Sequence, residues 1–346
     1  MKKNIAIIIA TLPVAFFAYV AIQLTVPLSL GKPVEVAIPE GTTYRQAITI
    51  LDSRNLIRDR YLFLALGRLT GGDRKIRAGY YTFWDHITPL QVFDRLRKGR
   101  IIEYDITVVE GESLAEIGQR LTAKGILAPD QFHSLTTDRE FLTSLQIDAP
   151  SLEGYLFPQT YRIPKGAAPG SVLKLMVRKM REEYSAAMVK RTRDMGWTER
   201  EILTLASIIE REAVMDKERP IISAVYHNRI KKGMPLQADP TAIYGVKSYK
   251  EKITLKDLKK KTEYNTYVIK GLPPGPIACP GKKSIVAALY PAEVPYLYFV
   301  SRGDGTHWFT NSFSEHEAAI REVRAMRAAA GAVPEEEAPE VKKELP

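Results

Sequence analysis

The sequence predicts an α+β protein of two domains that is anchored to a membrane near its N-terminus. An apolar run of about 20 residues, from 5 to 26, has the length of a membrane-spanning helix. Short strand patterns alternate with helical patterns over the rest of the 346 residues, enough for two domains. We expect one domain over residues 32 to 148, a second over 149 to 328, and a disordered acidic tail over 331 to 346.

The N-terminal run predicts an uncleaved anchor. A cleaved signal peptide has a shorter apolar core and a small-residue Ala-x-Ala site, and no Ala-x-Ala occurs in this segment. Lys2 and Lys3 precede the run, and positive residues favour the cytoplasmic side. We therefore expect residues 1 to 4 in the cytoplasm and the body of the chain on the periplasmic or extracellular side.

Composition narrows the classes of partner. The net charge is +10, and the tail from residue 331 carries five Glu and two Lys, which leaves +13 on the rest. A basic body suits an acidic partner such as an anionic polymer or lipid, and no nucleic-acid-binding motif is present.

The single cysteine, Cys279, excludes an internal disulfide, and we expect it to be a small buried residue. No metal or other cofactor is expected.

An internal repeat lies in the first predicted domain. Residues 37 to 44 (AIPEGTTY) match residues 107 to 114 (TVVEGESL), and each copy predicts a strand, a Glu-Gly turn and a capped helix. A strand is expected near residues 78 to 83, and a helix follows Thr88-Pro89. This order of elements resembles LysM modules, which implies binding to N-acetylglucosamine chains. The alternative is a spacer that holds the second domain away from the membrane.

The segment Thr198 to Val214 (TEREILTLASIIEREAV) predicts a buried helix. Thr198 and Glu201 have the spacing of a capping box, and the apolar positions that follow are too many for a surface helix. A carboxyl group in such a helix is desolvated, which makes it a proton donor at neutral pH. We predict that Glu210 is the catalytic acid. The alternatives are that Glu210 forms an ion pair with Arg211 or Arg219, and that Glu212 is the acid.

The later elements are expected to be a long helix from 171 to 191 and a buried strand from 295 to 300. Between them lie several short polar motifs. Asn228 shares a helix face with apolar residues and needs partners there. The others are LQADPT (236 to 241), YNTY (264 to 267) and the Pro-rich loop GLPPGPI (271 to 277), which can hold backbone groups in place.

Together these motifs resemble the endolytic murein transglycosylases of the YceG-like family. The resemblance covers about residues 35 to 325. The matching segments are LEGYLFPQTY (152 to 161), ASIIERE (206 to 212), Asn228-Arg229, LQADPT, YNTY, GLPPGPI, YLYFV (296 to 300), His307 and Glu315-His316. The chain has Gln159 where the family has Asp, and Glu317 where it has Asn.

The resemblance implies an enzyme that cuts the β-1,4 bond between N-acetylmuramic acid and N-acetylglucosamine in new peptidoglycan strands and leaves a 1,6-anhydro end. It implies Glu210 as catalytic residue, acting first as acid and then as base, so that Glu210→Gln abolishes turnover and Glu212→Gln does not. Proximity to peptidoglycan synthases is also implied. We infer a substrate-binding cleft lined by Asn228, Gln237, Asp239, Tyr264, Asn265 and Tyr267.

Two other functions remain open at this point. A lysozyme-type hydrolase would use Asp239 or Glu153 as a second carboxylate. A membrane-anchored glycan-binding scaffold would use the repeat alone. In that case, cells that lack the protein would have glycan strands of unchanged length.

Overall fold

The computed structural model describes residues 2 to 329, and the predicted acidic tail lies outside these residues. The fold is mixed α and β, with helices between three two-stranded sheets. The chain divides into two compact units. The first is Met1–Asp105 with Tyr161–Ala168, and the second is Ile106–Thr160 with Pro169–Pro346.

The first unit contains an antiparallel strand pair and four α-helices. Its elements are α1 (Lys2–Thr25), β1 (Val34–Ile38), α2 (Tyr44–Ser53), α3 (Arg60–Thr70), β2 (Gly79–Phe83) and α4 (Pro89–Lys98). β1 pairs with β2 from Val34 opposite Phe83 to Ile38 opposite Gly79. Alternate residues of this pair point into a core that includes Tyr81 and Phe93, as expected for a sheet with one buried face.

Helix α1 occupies the segment where the sequence predicts a transmembrane helix. Within residues 2 to 329, no helix combines the length and the apolar content that crossing a membrane requires.

The division between the units falls inside two paired strands. These are β3 (Glu103–Thr107) and β4 (Thr160–Pro164). The second copy of the repeat, at 107 to 114, is therefore assigned to the second unit and the first copy to the first unit. The boundary predicted after residue 148 does not coincide with this division.

The second unit is mostly helical. Its helices are α5 (Leu114–Ala123), α6 (Pro129–Thr137), α7 (Arg139–Ser144), α8 (Pro169–Glu183), α9 (Ala186–Asp194), α10 (Glu199–Glu212), α11 (Arg219–Lys231), α12 (Asp239–Ile243), α13 (Leu255–Leu258), α14 (Lys282–Leu289) and α15 (Phe313–Ala329). One antiparallel pair, β5 (Tyr298–Ser301) with β6 (His307–Thr310), completes it.

Two predicted elements of this unit differ from the structure. The helix expected from 171 to 191 is two helices, because Ser185 leaves the helical conformation and caps α9 through the Met188 N–H. The strand expected from 295 to 300 begins only at Tyr298, and its residues are half-buried or exposed rather than buried.

Candidate active site

Helix α10 brings two carboxyl groups to the centre of the second unit. Thr198 caps the helix through a complete capping box with Glu201. Residues 202 to 209 are buried without interruption, and the helix ends at Glu212. Glu210 and Glu212 are two positions apart. Successive helical residues are rotated by about 100°, so these two side chains leave the helix in nearly opposite directions.

Glu210 is one half of a buried ion pair. Its Oε1 lies 3.0 Å from Nη1 of Arg219, and its side chain is 4% exposed. The backbone N–H of Gly281 donates to Oε2 at 2.8 Å. Donors from the protein therefore occupy both oxygens of the Glu210 carboxyl, as in a structural ion pair. Of the alternatives for Glu210, the structure thus contains the ion pair with Arg219.

More charged groups surround this ion pair. Arg219 Nε contacts Asp216 Oδ1 at 3.1 Å, and its Nη1 donates to the Ser284 hydroxyl. The Glu110 carboxyl fills the space where a side chain at Gly281 would lie. Burial and the nearby Glu210 charge raise the pKa of Glu110. The network ties the second Glu-Gly turn to α10, α11 and α14.

Glu212 lies in a different environment and remains half-buried. Burial, with the charge of Asp239 as the next contribution, raises the pKa of Glu212 to about 8. Three groups lower this pKa: the Tyr226 hydroxyl, which donates to Oε1 at 3.3 Å, the backbone N–H of Asp239 and the charge of Arg211. Burial therefore favours the protonated form of Glu212, which is the form that a general acid requires.

Asp239 is the exposed member of the pair. It opens α12, and the Tyr267 hydroxyl donates to its Oδ1. Burial of the carboxyl by surrounding protein raises the pKa of Asp239, and the Tyr267 hydrogen bond lowers it. When two carboxyl groups share a site, one keeps its proton. We name Glu212, Asp239, Tyr226 and Tyr267 the carboxyl cluster.

Gln237 stands two residues before Asp239, and its backbone is in the left-handed region with φ 51°. Its amide oxygen accepts a hydrogen bond from Arg229 Nη1 at 3.1 Å. Arg229 is 7% exposed, and it also donates to the carbonyl oxygens of Leu236 at 2.9 Å and Leu297 at 2.7 Å. Sequence reasoning left Arg229 out of the site, although it is part of the Asn228-Arg229 motif.

The other predicted cleft residues hold the loops around the cluster. Asn228 donates through Nδ2 to the carbonyl oxygens of Val294 and Tyr296. Asn265 is fully buried, with Nδ2 directed at three carbonyl groups and Oδ1 accepting from the Tyr267 N–H. Its side chain has no surface to offer a substrate.

Tyr264 and Glu153 lie on another side of α12. The Tyr264 ring packs on Tyr244, with ring centres 4.6 Å apart. Glu153 is 3% exposed, accepts from the Leu114 N–H and the Tyr244 hydroxyl, and has its pKa raised to about 7 by burial. A carboxyl so enclosed is not available as the second carboxylate of a hydrolase.

Two further features bear on the site. Cys279 is fully buried, as the sequence predicts, and exchanges backbone hydrogen bonds with Gly111 and Glu112. In the described part of the chain, no group of three or more His, Cys, Asp or Glu side chains is placed to hold a metal ion.

Comparison with known proteins gives concordant matches. The model of the YceG-like family matches residues 36–322. An endolytic murein transglycosylase of Bacillus subtilis is 31% identical, over 84% of this chain and 87% of its own length. One of Streptococcus pneumoniae is 26% identical over 84% of this chain, which spans 58% of that relative. A crystal structure of a putative yceG-like protein from Listeria monocytogenes is 30% identical, with a TM-score of 0.58 over 83% of this chain and 99% of that chain.

Proposed function

The chain belongs to the YceG-like family, as the motifs predict, and on that premise we propose that it is an endolytic murein transglycosylase whose proton donor is Glu212. The homologous enzymes support cleavage of peptidoglycan by a lyase. The observation that carries the assignment to Glu212 is its environment: its carboxyl accepts a hydrogen bond from the Tyr226 hydroxyl and lies beside Asp239, and burial raises its pKa. Glu210, the acid predicted from sequence, is engaged by Arg219 instead.

The first step needs an acid on the leaving oxygen. Protonated Glu212 gives its proton to the oxygen that links C1 of N-acetylmuramic acid to N-acetylglucosamine, and the C1–O bond breaks. Positive charge develops on the sugar ring as it does so. Asp239, whose ionised form the Tyr267 hydroxyl supports, stabilises that charge.

The second step returns the proton. The C6 hydroxyl of the same muramic acid attacks C1, and the Glu212 carboxylate accepts the hydroxyl proton. This forms the 1,6-anhydro ring and restores the acid, and no water is consumed. One carboxyl thus acts as acid and then as base.

A muramidase is the second candidate, and the placement of Asp239 beside Glu212 favours it. The sequence alone suggests one working carboxyl, whereas two carboxyl groups meet at this site. In a hydrolase the second carboxylate supplies the nucleophile or activates water. The two candidates differ in whether water is added, and this difference appears directly in the products.

The test is digestion of purified peptidoglycan by the full chain in detergent, followed by mass spectrometry of the fragments. A transglycosylase releases fragments lighter by one water that lack a reducing end. Reducing ends on all fragments would establish the muramidase. Intact strands would overturn both enzymatic candidates and leave the glycan-binding scaffold.

The remaining features of the proposal rest on sequence. The apolar run at residues 5 to 26 supports a single-span anchor, with residues 1 to 4 in the cytoplasm and the second unit outside it. The repeat supports a LysM-like role in placing glycan strands. An anchored enzyme that cuts nascent strands works close to the peptidoglycan synthases.

A further inference from the structure

The backbone at Gln237 is strained and held in place. A residue other than Gly rarely adopts the left-handed region, and it persists there only where its surroundings impose it. Gln237 has φ 51°. Its N–H donates to the Thr266 carbonyl at 3.1 Å, and the next N–H, of Ala238, donates to the Thr266 hydroxyl at 2.9 Å.

Arg229 fixes the side chain of the same residue. The guanidinium donates to the carbonyl oxygens of Pro235 and Leu236 as well as to Gln237 Oε1. An arginine can only donate hydrogen bonds, so the amide must turn its oxygen toward Arg229. The NH₂ end then faces away from Arg229.

That NH₂ group is available to donate a hydrogen bond to a ligand. Within residues 2 to 329, the side chain of Gln237 bonds only to Arg229, and Gln237 is half-buried rather than enclosed. It stands on the loop that leads to Asp239. A donor held in one orientation beside a reaction centre selects for an acceptor, because either partner left unpaired would cost binding energy.

We propose that Gln237 Nε2 donates a hydrogen bond to the N-acetyl carbonyl oxygen of a sugar at the cleaved bond, with Arg229 as the positioning residue. The proposal rests on the proposed function for its substrate class. A sugar hydroxyl both donates and accepts, so it would bind either face of an amide. The N-acetyl oxygen only accepts, and a fixed donor distinguishes it.

The experiment crosses enzyme variants with substrate variants. Wild type, Gln237→Met and Gln237→Glu are assayed at pH 6 on native strands and on strands whose N-acetyl groups have been removed chemically, which leaves ammonium groups. We expect kcat/KM of wild type to fall about 10-fold on the de-acetylated strands, as for one hydrogen bond lost. Gln237→Met should be about 10-fold weaker than wild type on native strands and should show no further preference.

Gln237→Glu gives the opposite preference. A carboxylate still accepts from Arg229 but cannot donate, and it attracts an ammonium group. This variant should therefore cleave de-acetylated strands faster than native ones. Equal losses on both substrates, or no loss, would overturn the proposal, because a residue that only shapes the loop does not distinguish the two substrates.

Two controls separate the possible failures. If the other variants melt early, Gln237→Asn serves as the control. Asn tolerates the left-handed region but is one methylene shorter, so this variant should fold and lose the N-acetyl preference. Arg229→Lys should release the loop, move Asp239 from Glu212 and shift the alkaline limb of the pH–rate profile to lower pH. An unchanged limb would contradict the positioning role. An inactive wild type would instead refute the proposed function, and an active Glu212→Gln variant would refute the assignment of the proton donor.

Discussion

Two glutamates on one helix end have different chemistry because they face different neighbours. Glu210 points to Arg219 and the Gly281 N–H, and Glu212 points to Tyr226 and Asp239. The intrinsic acidity of the two side chains is the same. The partner therefore decides whether each carboxyl serves as an anion in an ion pair or as an acid.

Replacing each glutamate by Gln separates the two roles. Glu212→Gln should keep the fold and lower kcat by about 10²–10⁴, the usual contribution of a general acid. Glu210→Gln should lower the free energy of unfolding by about 3 kcal/mol, because Arg219 loses a buried partner. It should retain activity within about 10-fold per folded molecule.

Thermal melting and muropeptide release measure these two effects independently. The reverse pattern, with Glu210→Gln stable and inactive and Glu212→Gln active, would restore Glu210 as the catalytic residue.

Activity should depend on pH through Glu212. The first step needs the protonated carboxyl, and its pKa is about 8. We expect kcat/KM to fall about tenfold per pH unit above that value. Asp239→Asn removes a charge that raises this pKa, so the alkaline limb should move to lower pH. A limb at the same pH in wild type and Asp239→Asn would show that another group controls the profile.

The choice between the two glutamates shows what sequence can predict at this scale. The capping box and the apolar stripe predict α10 and the presence of a carboxyl group in it. Helical periodicity compares a residue only with others on its own helix. Arg219, Tyr226 and Asp239 come from α11 and α12, so their effects on α10 emerge only when the chain is folded.

At the scale of elements, Glu153 fastens helix α5 to α12. It accepts from the Leu114 N–H, at the first turn of α5, and from the Tyr244 hydroxyl just after α12. An N-terminal helix turn has unsatisfied N–H groups, and an acidic side chain is a good partner for them. The cost of this placement is a buried carboxyl with a raised pKa.

This raised pKa predicts how stability depends on pH. Below pH 4.5, the ordinary pKa of Glu, both the folded and the unfolded state hold the proton. Between 4.5 and about 7 only the folded state keeps it, so stability falls as the pH rises. The loss amounts to about 3 kcal/mol. Urea titrations at pH 4.5 and 7.5 should show this loss in wild type, and Glu153→Gln should lose about 3 kcal/mol less between the two pH values.

The two Glu-Gly turns of the repeat offer a matched pair of substitutions. Gly41 and Gly111 have φ of 77° and 79°. An added methyl group at Gly41 meets nothing within 4 Å, whereas at Gly111 it lies 3.4 Å from Arg211 Cδ. Arg211 follows Glu210 on α10 and donates to the Gly111 carbonyl.

Both Gly→Ala variants should lose about 1–2 kcal/mol of stability through backbone strain. Only Gly111→Ala should also lower kcat, because movement of its turn reaches the end of α10. Melting curves and turnover per folded molecule measure the two effects. An equal kcat in both variants would show that the second turn does not support the active site.

Local signals predicted the ends of elements better than their burial. The capped helix starts predicted in both copies of the repeat, the start predicted after Thr88 and the capping box predicted at Thr198 are all formed, and each of these helices begins with a complete capping box. The apolar pattern from 171 to 191 continues across the break before Ser185, because α8 and α9 each bury a face of the same unit. Pattern alone therefore joined two helices into one.

At the scale of the whole molecule, the repeat and the compact units follow different divisions. The first Glu-Gly turn belongs to the first unit, and the second belongs to the unit that holds the carboxyl cluster. Sequence similarity between the copies reflects common local structure, a strand followed by a capped helix. It does not specify which other elements each copy packs against.

The last prediction concerns the placement of the whole chain. Residues 5 to 26 are almost entirely apolar, and Lys2 and Lys3 precede them. Positive residues stay on the cytoplasmic side. A reporter that works only outside the cytoplasm should therefore be active when it is fused after Pro346. A second fusion, with Lys2 and Lys3 replaced by Glu, tests the cause and should lower that signal. If a reporter that works only in the cytoplasm were equally active in both fusions, the orientation would be refuted. If alkaline carbonate released the chain from membranes, the anchor itself would be refuted.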